Sequence, residues 1–294
     1  MKVLVTGANG LLGQELVALL LQRQFEVIAT SKGPNRLQVS DAKFRYRDLD
    51  ITDGMASNKI ITEERPDVII HAAAMTQVDQ CELNKIDCYN INVTATRFLI
   101  EAAKEINARF VYVSTDFIFD GVAGPYKEDD EAKPLNYYGS TKLSAETEVV
   151  ESGLRWTIVR TVLVIGNASS TRSNIISWVK DKLSKGEKIK VVDDQFRTPT
   201  FTEDLAKGIV LIVEKNAKGI YHISGKDLLT PYQIAIKTAA HFQLDHTLII
   251  KADASSFSQP ALRPPRTGFY IDKARADLGY EPLSFEEGLK KFFA

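Results

Sequence analysis

Apolar positions in the first 165 residues fall into short, nearly continuous runs, separated by longer stretches with helical periodicity. The runs are "KVLVTG" (2–7), "FEVIAT" (25–30), "KFRYRDLD" (43–50), "DVIIHAAA" (67–74), "RFVYVSTD" (109–116) and "RWTIVRTVLVIG" (155–166). Helical patterns lie between them, notably "LLGQELVALLLQR" (11–23), about 85–107, and from about 137. Continuous apolar strands alternating with helices predict parallel strands buried on both faces. The expected fold is α/β, a Rossmann-type doubly wound parallel sheet.

After Gly166 the rhythm breaks. "NASSTRSN" (167–174) reads as a loop, then come a helix near 173–185 and a strand "KIKVVDD". "TEDLAKGIVLIVEK" (202–215) is amphipathic and is expected to return to the sheet domain. "GIYHIS", a helix from Pro231, "HTLIIKA", a Pro-rich loop (260–268) and a terminal helix complete the chain. The expected division is a cofactor-binding domain over 1–166, with 202–217 returning to it, and a smaller, partly interleaved substrate lobe over 167–294.

Composition narrows the function classes. The 294 residues carry a net charge of −1, so no global field favours nucleic acid or a membrane surface. The longest apolar runs fall far short of the roughly 20 residues of a membrane span. The sequence opens directly on a strand-like run, so no signal peptide is expected. Cys81 and Cys88, read as lying on one helix, would stand roughly 10 Å apart, too far for a disulfide. They are expected as reduced, buried thiols without metal, as in a cytoplasmic protein.

The first strand–helix turn, "TGANGLLG", places Gly7, Gly10 and Gly13 in a G-x-x-G-x-x-G spacing. Such glycines let the backbone turn tightly, approach a pyrophosphate and pack helix on strand. The helix N-terminus offers free N–H groups and a positive dipole end. With Asn9, Leu11 and Leu12 of the same turn, this reads as a dinucleotide cradle, a plain tight strand–helix turn being the alternative. The second strand ends "ATSKGPNR" with no acid for a ribose 2′-hydroxyl, whereas Ser31, Lys32 and Arg36 suit a 2′-phosphate. That favours NADP(H) and leaves NAD(H) open; incidental basic residues in a solvated turn are the alternative. Asp50 and Ile51 fall where an adenine would lie, Asp53 reads as a helix-start residue, and Ala72, Ala73 and Ala74 allow close backbone approach. His71 reads as a packing histidine.

Tyr138 and Lys142, at i and i+4, share one helix face. A free phenol has a pKa near 10, and a neighbouring ammonium is expected to lower it. Such a phenol could protonate a carbonyl oxygen as hydride reaches carbon. Thr115, at a strand end, is placed to orient the same oxygen. Tyr137 points about 100° away and reads as packing or substrate wall.

"TGANGLLG", "HAAAMTQVDQCE", "INVTATRFLIEAA", "VYVSTDFIFDG", "YYGSTKLSAE" and "DDQFRTPTFTEDLAKGI" resemble the extended short-chain dehydrogenase/reductase superfamily, most closely the dTDP-4-dehydrorhamnose reductases. The resemblance implies reduction of a 4-keto nucleotide sugar by NAD(P)H. It implies Tyr138 as proton donor, Lys142 as binder of the nicotinamide ribose, Thr115 as carbonyl orienter and Asn92 as an asparagine beside the active site. Asp116 would contact the sugar or support the site, and Thr76 and Phe117 join it as substrate-side candidates. Several such reductases are homodimers, some with a magnesium ion at the interface.

Three departures bear on the substrate. The family's "RTSWVYG" is here "RTVLVIG", an aliphatic wall. "DQ(F/Y)GSPT" is "DQFRTPT", with Arg197 in place of glycine, either meeting an anion or lying on the surface. The late "RPxNSxL" is "RPPRTGFY", whose Arg263 and Arg266 suit a diphosphate or form a solvated basic turn. Phe117 stands where dehydratases of the superfamily carry a glutamate, which argues against dehydration. An epimerase with retained NAD and a non-catalytic reductase-like subunit are the rival readings.

Overall fold

A computed structural model describes residues 1–166 and 174–293. Most of the "NASSTRSN" loop therefore lies outside the described residues. The strands are β1 (Lys2–Thr6), β2 (Glu26–Ser31), β3 (Phe44–Asp48), β4 (Val68–His71), β5 (Arg109–Thr115), β6 (Trp156–Thr161), β7 (Val164–Ile165), β8 (Ile189–Val192), β9 (Thr200–Phe201), β10 (Gly219–His222) and β11 (Ile249–Ala252). Seven of them form one sheet in the order β10-β6-β5-β4-β1-β2-β3. Every pairing in it is parallel. The order reverses between β1 and β4. That switch opens a crevice at the carboxyl ends of the strands, where open α/β sheets bind ligands.

Helices cover both faces. On one, α1 (Leu11–Gln22), α8 (Thr202–Glu214) and α10 (Asp272–Leu278) close a core that includes Leu16, Leu20, Ile209 and Leu278. On the other, α2 (Gly54–Glu64), α5 (Ala95–Ile106) and α6 (Tyr137–Glu151) bury Ile61, Leu99, Ala103 and Val149 against β1, β4 and β5. The segment 202–214 thus packs on α1. The interleaving goes further than the sequence suggests. "GIYHIS", read as part of the lobe, supplies β10, which pairs with β6 as the seventh strand. Its alternation gives no sign of its partner, because an edge strand reads alike in either sheet.

The lobe proper holds α7 (Ile175–Ser184), α9 (Pro231–His241) and α11 (Phe285–Phe292), with two small parallel pairs, β8–β11 and β7–β9. Capping boxes at Thr230 and Ser284 start α9 and α11.

The pattern over 85–107 is continuously helical, as α4 (Lys85–Tyr89), a π-helical turn at Asn90–Thr94 and α5, while a break at Asn84 separates it from α3 (Val78–Leu83). The break corrects the expected separation of the cysteines, since both are buried and free in one small cluster, close enough for one thiol to hydrogen-bond the other. Among the described residues no helix is long and apolar enough to cross a membrane, and no His/Cys/Asp/Glu cluster of three or more is arranged for a metal ion.

Candidate active site

A cavity of about 1210 Å³ runs along the carboxyl ends of the strands, from Gly7–Gly13 to Tyr138 and Arg197. Its first end is the glycine turn. Gly7 adopts φ +71°, and a Cβ there would stand 2.9 Å from the Ala73 backbone. A Cβ on Gly13 would stand 2.3 Å from the Gly7 carbonyl oxygen. Gly10 caps α1 without any side-chain hydrogen bond, so the first N–H groups of the helix have no side-chain acceptor. Free N–H groups at a helix start, with no Cβ in the way, fit the pyrophosphate of a dinucleotide.

The turn after β2 is pinned over this cradle. The Asn9 amide donates to the Pro34 carbonyl (3.0 Å) and to the Tyr46 hydroxyl (3.1 Å), and the Arg36 N–H donates to Asn9 Oδ1 (3.0 Å). Tyr46, which sequence reasoning missed, also donates to the Gly33 carbonyl at 2.6 Å. Ser31, Lys32, Arg36, Asp50 and Ile51 all line the cavity. The turn is less basic than its sequence suggests. Lys32 Nζ pairs with Asp50 at 2.7 Å, which holds the Asp50 carboxyl down at about 2, and Asp48 accepts from the Gly33 N–H at 2.7 Å. These acids come from the end of β3 and the turn after it, so the absence of an acid on β2 does not leave the turn free of carboxylates.

Ala72, Ala73, Ala74 and Thr76 line the middle of the cavity. His71 lies beneath them, fully buried, its Nδ1 on Thr6 Oγ1 (2.8 Å) and its Nε2 on Thr96 Oγ1 (3.0 Å). Burial pushes its pKa down to about 3, so it is a neutral packing residue. Asp53 caps α2 by accepting from the Ala56 N–H. Asn92 does not reach the cavity wall. Its side chain clamps both the N–H and the carbonyl of Met75 and donates to Thr141 Oγ1.

At the far end, Asn136 starts α6 by accepting from the Gly139 N–H (2.9 Å) and donates to the Leu262 carbonyl (2.8 Å), tying this helix to the Pro-rich loop. A Cβ on Gly139 would lie 2.0 Å from the Phe117 carbonyl oxygen, so only glycine lets α6 press against the end of β5. That contact brings Tyr138, Lys142 and Thr115 to one wall. Tyr138 is 8% exposed, and Phe117 meets its ring edge-on at 6.0 Å. Tyr137 stays outside the cavity, with Lys85 over its ring.

The expected acidification of Tyr138 by Lys142 is not present. Burial raises the phenol pKa well above 10, opposed mainly by the neighbouring Thr115 hydroxyl. Lys142 Nζ instead donates to the Val113 carbonyl (2.8 Å) and sits 4.1 Å from the centre of the Tyr112 ring. Burial pushes its own pKa down to about 7, against the opposing pull of Glu146. A buried phenol with a raised pKa is fully protonated at neutral pH, the state a proton donor needs.

The three arginines read as anion hooks have other partners. Arg263 forms a two-pronged ion pair with Asp79 (2.5 and 2.7 Å), and Arg266 lies over the Phe196 ring at 5.0 Å. Neither lines the cavity. Arg197 does line it but is buried, donating to the Phe196, Pro264 and Pro265 carbonyls. Asp116 is buried between Thr115, Thr267 and Arg197. Of the expected aliphatic wall, Leu163 (φ +35°) and Ile165 line the cavity together with Val164, whereas Val162 is buried in the core beside Phe119.

With this geometry in hand, comparison with known proteins is specific. The RmlD substrate binding domain model matches residues 1–294. The dTDP-4-dehydrorhamnose reductase of Aggregatibacter actinomycetemcomitans is 31% identical over 306 residues, covering 100% of this chain and 98% of that protein. Methionine adenosyltransferase 2 subunit beta of Xenopus laevis is 32% identical over 83% of this chain and 72% of its own length. Among solved structures, dTDP-4-dehydrorhamnose reductase from Bacillus anthracis in complex with NADP superimposes with a TM-score of 0.87 at 30% identity, over 99% of this chain and 98% of that one. The chain belongs to the RmlD substrate binding domain family.

Proposed function

We propose that this protein is an NAD(P)H-dependent reductase of a 4-keto nucleotide sugar, of the dTDP-4-dehydrorhamnose reductase type. One observation carries the reading: the cavity that begins at an anion-ready helix start ends at a buried tyrosine, lysine and threonine on one wall. The bound nicotinamide supplies hydride. The chain's own groups do the rest. Tyr138 gives its proton to the carbonyl oxygen, and Lys142, leaving the Val113 carbonyl, holds the nicotinamide ribose. Ala72–Ala74 and the glycine turn exclude water along the cofactor's length. The aliphatic Leu163–Ile165 wall suits the apolar face of a deoxy sugar better than a stacked, hydrogen-bonded one.

Ser31 and Arg36 favour NADPH, while the Lys32–Asp50 pair and Asp48 moderate that preference, so both cofactors are expected to serve. The residues before Gly166, with α8 and β10, hold the cofactor, and the remainder closes over the substrate.

A panel of 4-keto nucleotide sugars, with NADPH and NADH oxidation followed in parallel, tests the reading. Oxidation with a dTDP-4-keto-6-deoxyhexose, faster with NADPH, is the expected result. Cofactor binding without oxidation of either cofactor on any sugar would sink it in favour of a binding subunit. Nicotinamide absorbance retained through purification would instead favour an epimerase.

A further inference from the structure

Among the described residues, the cations lining the cavity are Lys32, Arg36, Lys142 and Arg197. Lys32 is paired with Asp50, Lys142 with the Val113 carbonyl and Arg197 with the Phe196 and Pro264 carbonyls. Arg36 is the one whose guanidinium has no such partner among the described residues. It stands on the exposed turn after β2, where a loose backbone would leave its charge without a fixed place.

That backbone is held. Tyr46 reaches it from the middle of β3, its ring packed against the core on the α1 face together with Leu37 and Val39. The Tyr46 hydroxyl donates to the Gly33 carbonyl (2.6 Å), has the Ser31 carbonyl within 3.0 Å, and accepts from the Asn9 amide (3.1 Å). A hydroxyl has one hydrogen and two lone pairs, so the hydrogen serves the β2 turn and a lone pair serves the glycine turn. Asn9 completes the join. Its amide also donates to the Pro34 carbonyl (3.0 Å), and its Oδ1 accepts from the Arg36 N–H (3.0 Å). Asp48 Oδ1 accepts from the Gly33 N–H (2.7 Å). Ser31, Gly33, Pro34 and Arg36 are thus each met through the backbone, and the Arg36 side chain is the group left open.

We propose that Tyr46 is a specificity-determining residue for the cofactor: with Asn9 it fixes the turn after β2, so that Arg36 is set in advance for the 2′-phosphate of NADP(H), which NAD(H) lacks. The advantage is preorganisation. A turn ordered before binding spares the entropy that a loose turn gives up when it closes on a phosphate. The gain reaches only ligands that use Arg36, which makes it a gain in selectivity. The choice of NADP(H) rests on the cofactor preference stated above, whereas the hydrogen bonds that pin the turn do not.

Adenosine 2′,5′-bisphosphate and 5′-AMP differ only in the 2′-phosphate and carry no nicotinamide. Calorimetric titration of the whole protein with each therefore isolates that group from turnover. Wild type should bind the bisphosphate about tenfold more tightly or better. Y46F keeps the ring and loses the hydroxyl. It should weaken the bisphosphate about fivefold and leave 5′-AMP within about twofold, with the same split between NADPH and NADH in fluorescence titration. R36A should lose the preference, and Y46F added to R36A should change neither ligand further, because Tyr46 acts through Arg36. A Y46F protein that keeps the wild-type ratio of the two dissociation constants overturns the proposal. So does equal weakening of both nucleotides, the mark of a merely structural hydroxyl, or a further loss in the double variant. Should Y46F fail to fold, N9A decides, since it releases Pro34 and the Arg36 N–H while keeping the tyrosine and should give the same split. A wild type that binds both nucleotides equally sinks the 2′-phosphate reading of Ser31 and Arg36 together with the proposal; discrimination in wild type and undiminished in Y46F sinks the proposal alone.

Discussion

Replacing Lys142 with methionine should stabilise the cofactor-free protein, and more so at low pH. The Lys142 side chain is 2% exposed, with one hydrogen bond to the Val113 carbonyl and, among the described residues, the face of Tyr112 as its other cationic contact. The carboxylate one turn along, Glu146, is already paired with Arg160 at 2.7 Å. The ammonium is therefore under-compensated, and its pKa falls from 10.5 to about 7. At about 1.4 kcal/mol per pH unit, that drop corresponds to roughly 5 kcal/mol of folding free energy. The sign follows from proton uptake. Between pH 7 and 10.5 the unfolded chain binds a proton that the folded one does not, so stability rises with pH. The cost is full below pH 7 and gone above the unfolded value.

Methionine removes the cost but forfeits the hydrogen bond, about 1 kcal/mol, and the cation–ring contact, about 1 kcal/mol. The net gain at pH 6 is roughly 3 kcal/mol, or about 5 °C in Tm for a chain of this size. Thermal unfolding of K142M and wild type, both freed of cofactor, at pH 6 and pH 9.5 makes the comparison. The difference in Tm should shrink at the higher pH, because all other titrating groups are shared and cancel. A K142M protein no more stable than wild type at pH 6, or equally shifted at both pH values, would refute the electrostatic account.

Y138F should lower kcat by about 10²–10³ while leaving the Kd for NADPH within about twofold, by stopped-flow turnover and fluorescence titration. Unchanged turnover would remove Tyr138 from the mechanism. G139A places a methyl 2.0 Å from the Phe117 carbonyl oxygen. It should cost about 1–3 kcal/mol by denaturant unfolding and lower kcat by moving the start of α6 off β5; a stable, fully active G139A would show that this contact does not position Tyr138. R36A should raise the Kd for NADPH about tenfold and barely change that for NADH, since one charge-assisted contact to a phosphate is worth about 1.5–3 kcal/mol. Equal loss for both cofactors would place Arg36 away from the 2′-phosphate.

What was legible in the sequence was local. The glycine turn, the strand–helix alternation and the choice of Tyr138 over Tyr137 depend on spacings within a few residues, where helix and strand geometry leave little freedom. What was not legible depends on partners far along the chain. Arg263 reads as a phosphate hook until Asp79, 184 residues away, is found holding it. Thr267 reaches Asp116 across 151 residues, and β10 finds β6 across an intervening lobe. The cysteines came together because the backbone leaves helical geometry at Asn84, φ −124° and ψ 65°, and breaks what periodicity reads as one helix.

The misread cations share a cause with consequences for the chemistry. A cation in a water-excluded site must be compensated before any ligand arrives, so a buried arginine is seldom a vacant hook. Arg197 and Lys142 follow that rule with backbone carbonyls, and Arg263 with a carboxylate. Recognition of an anionic ligand then falls to groups that cost nothing to leave open, the N–H groups at the start of α1 and the exposed rim at Ser31–Arg36. The buried cations are held by the protein's own carbonyls and carboxylates and are not left free to meet a ligand. A ligand therefore gains little by carrying extra negative charge to the Tyr138 end of the cavity.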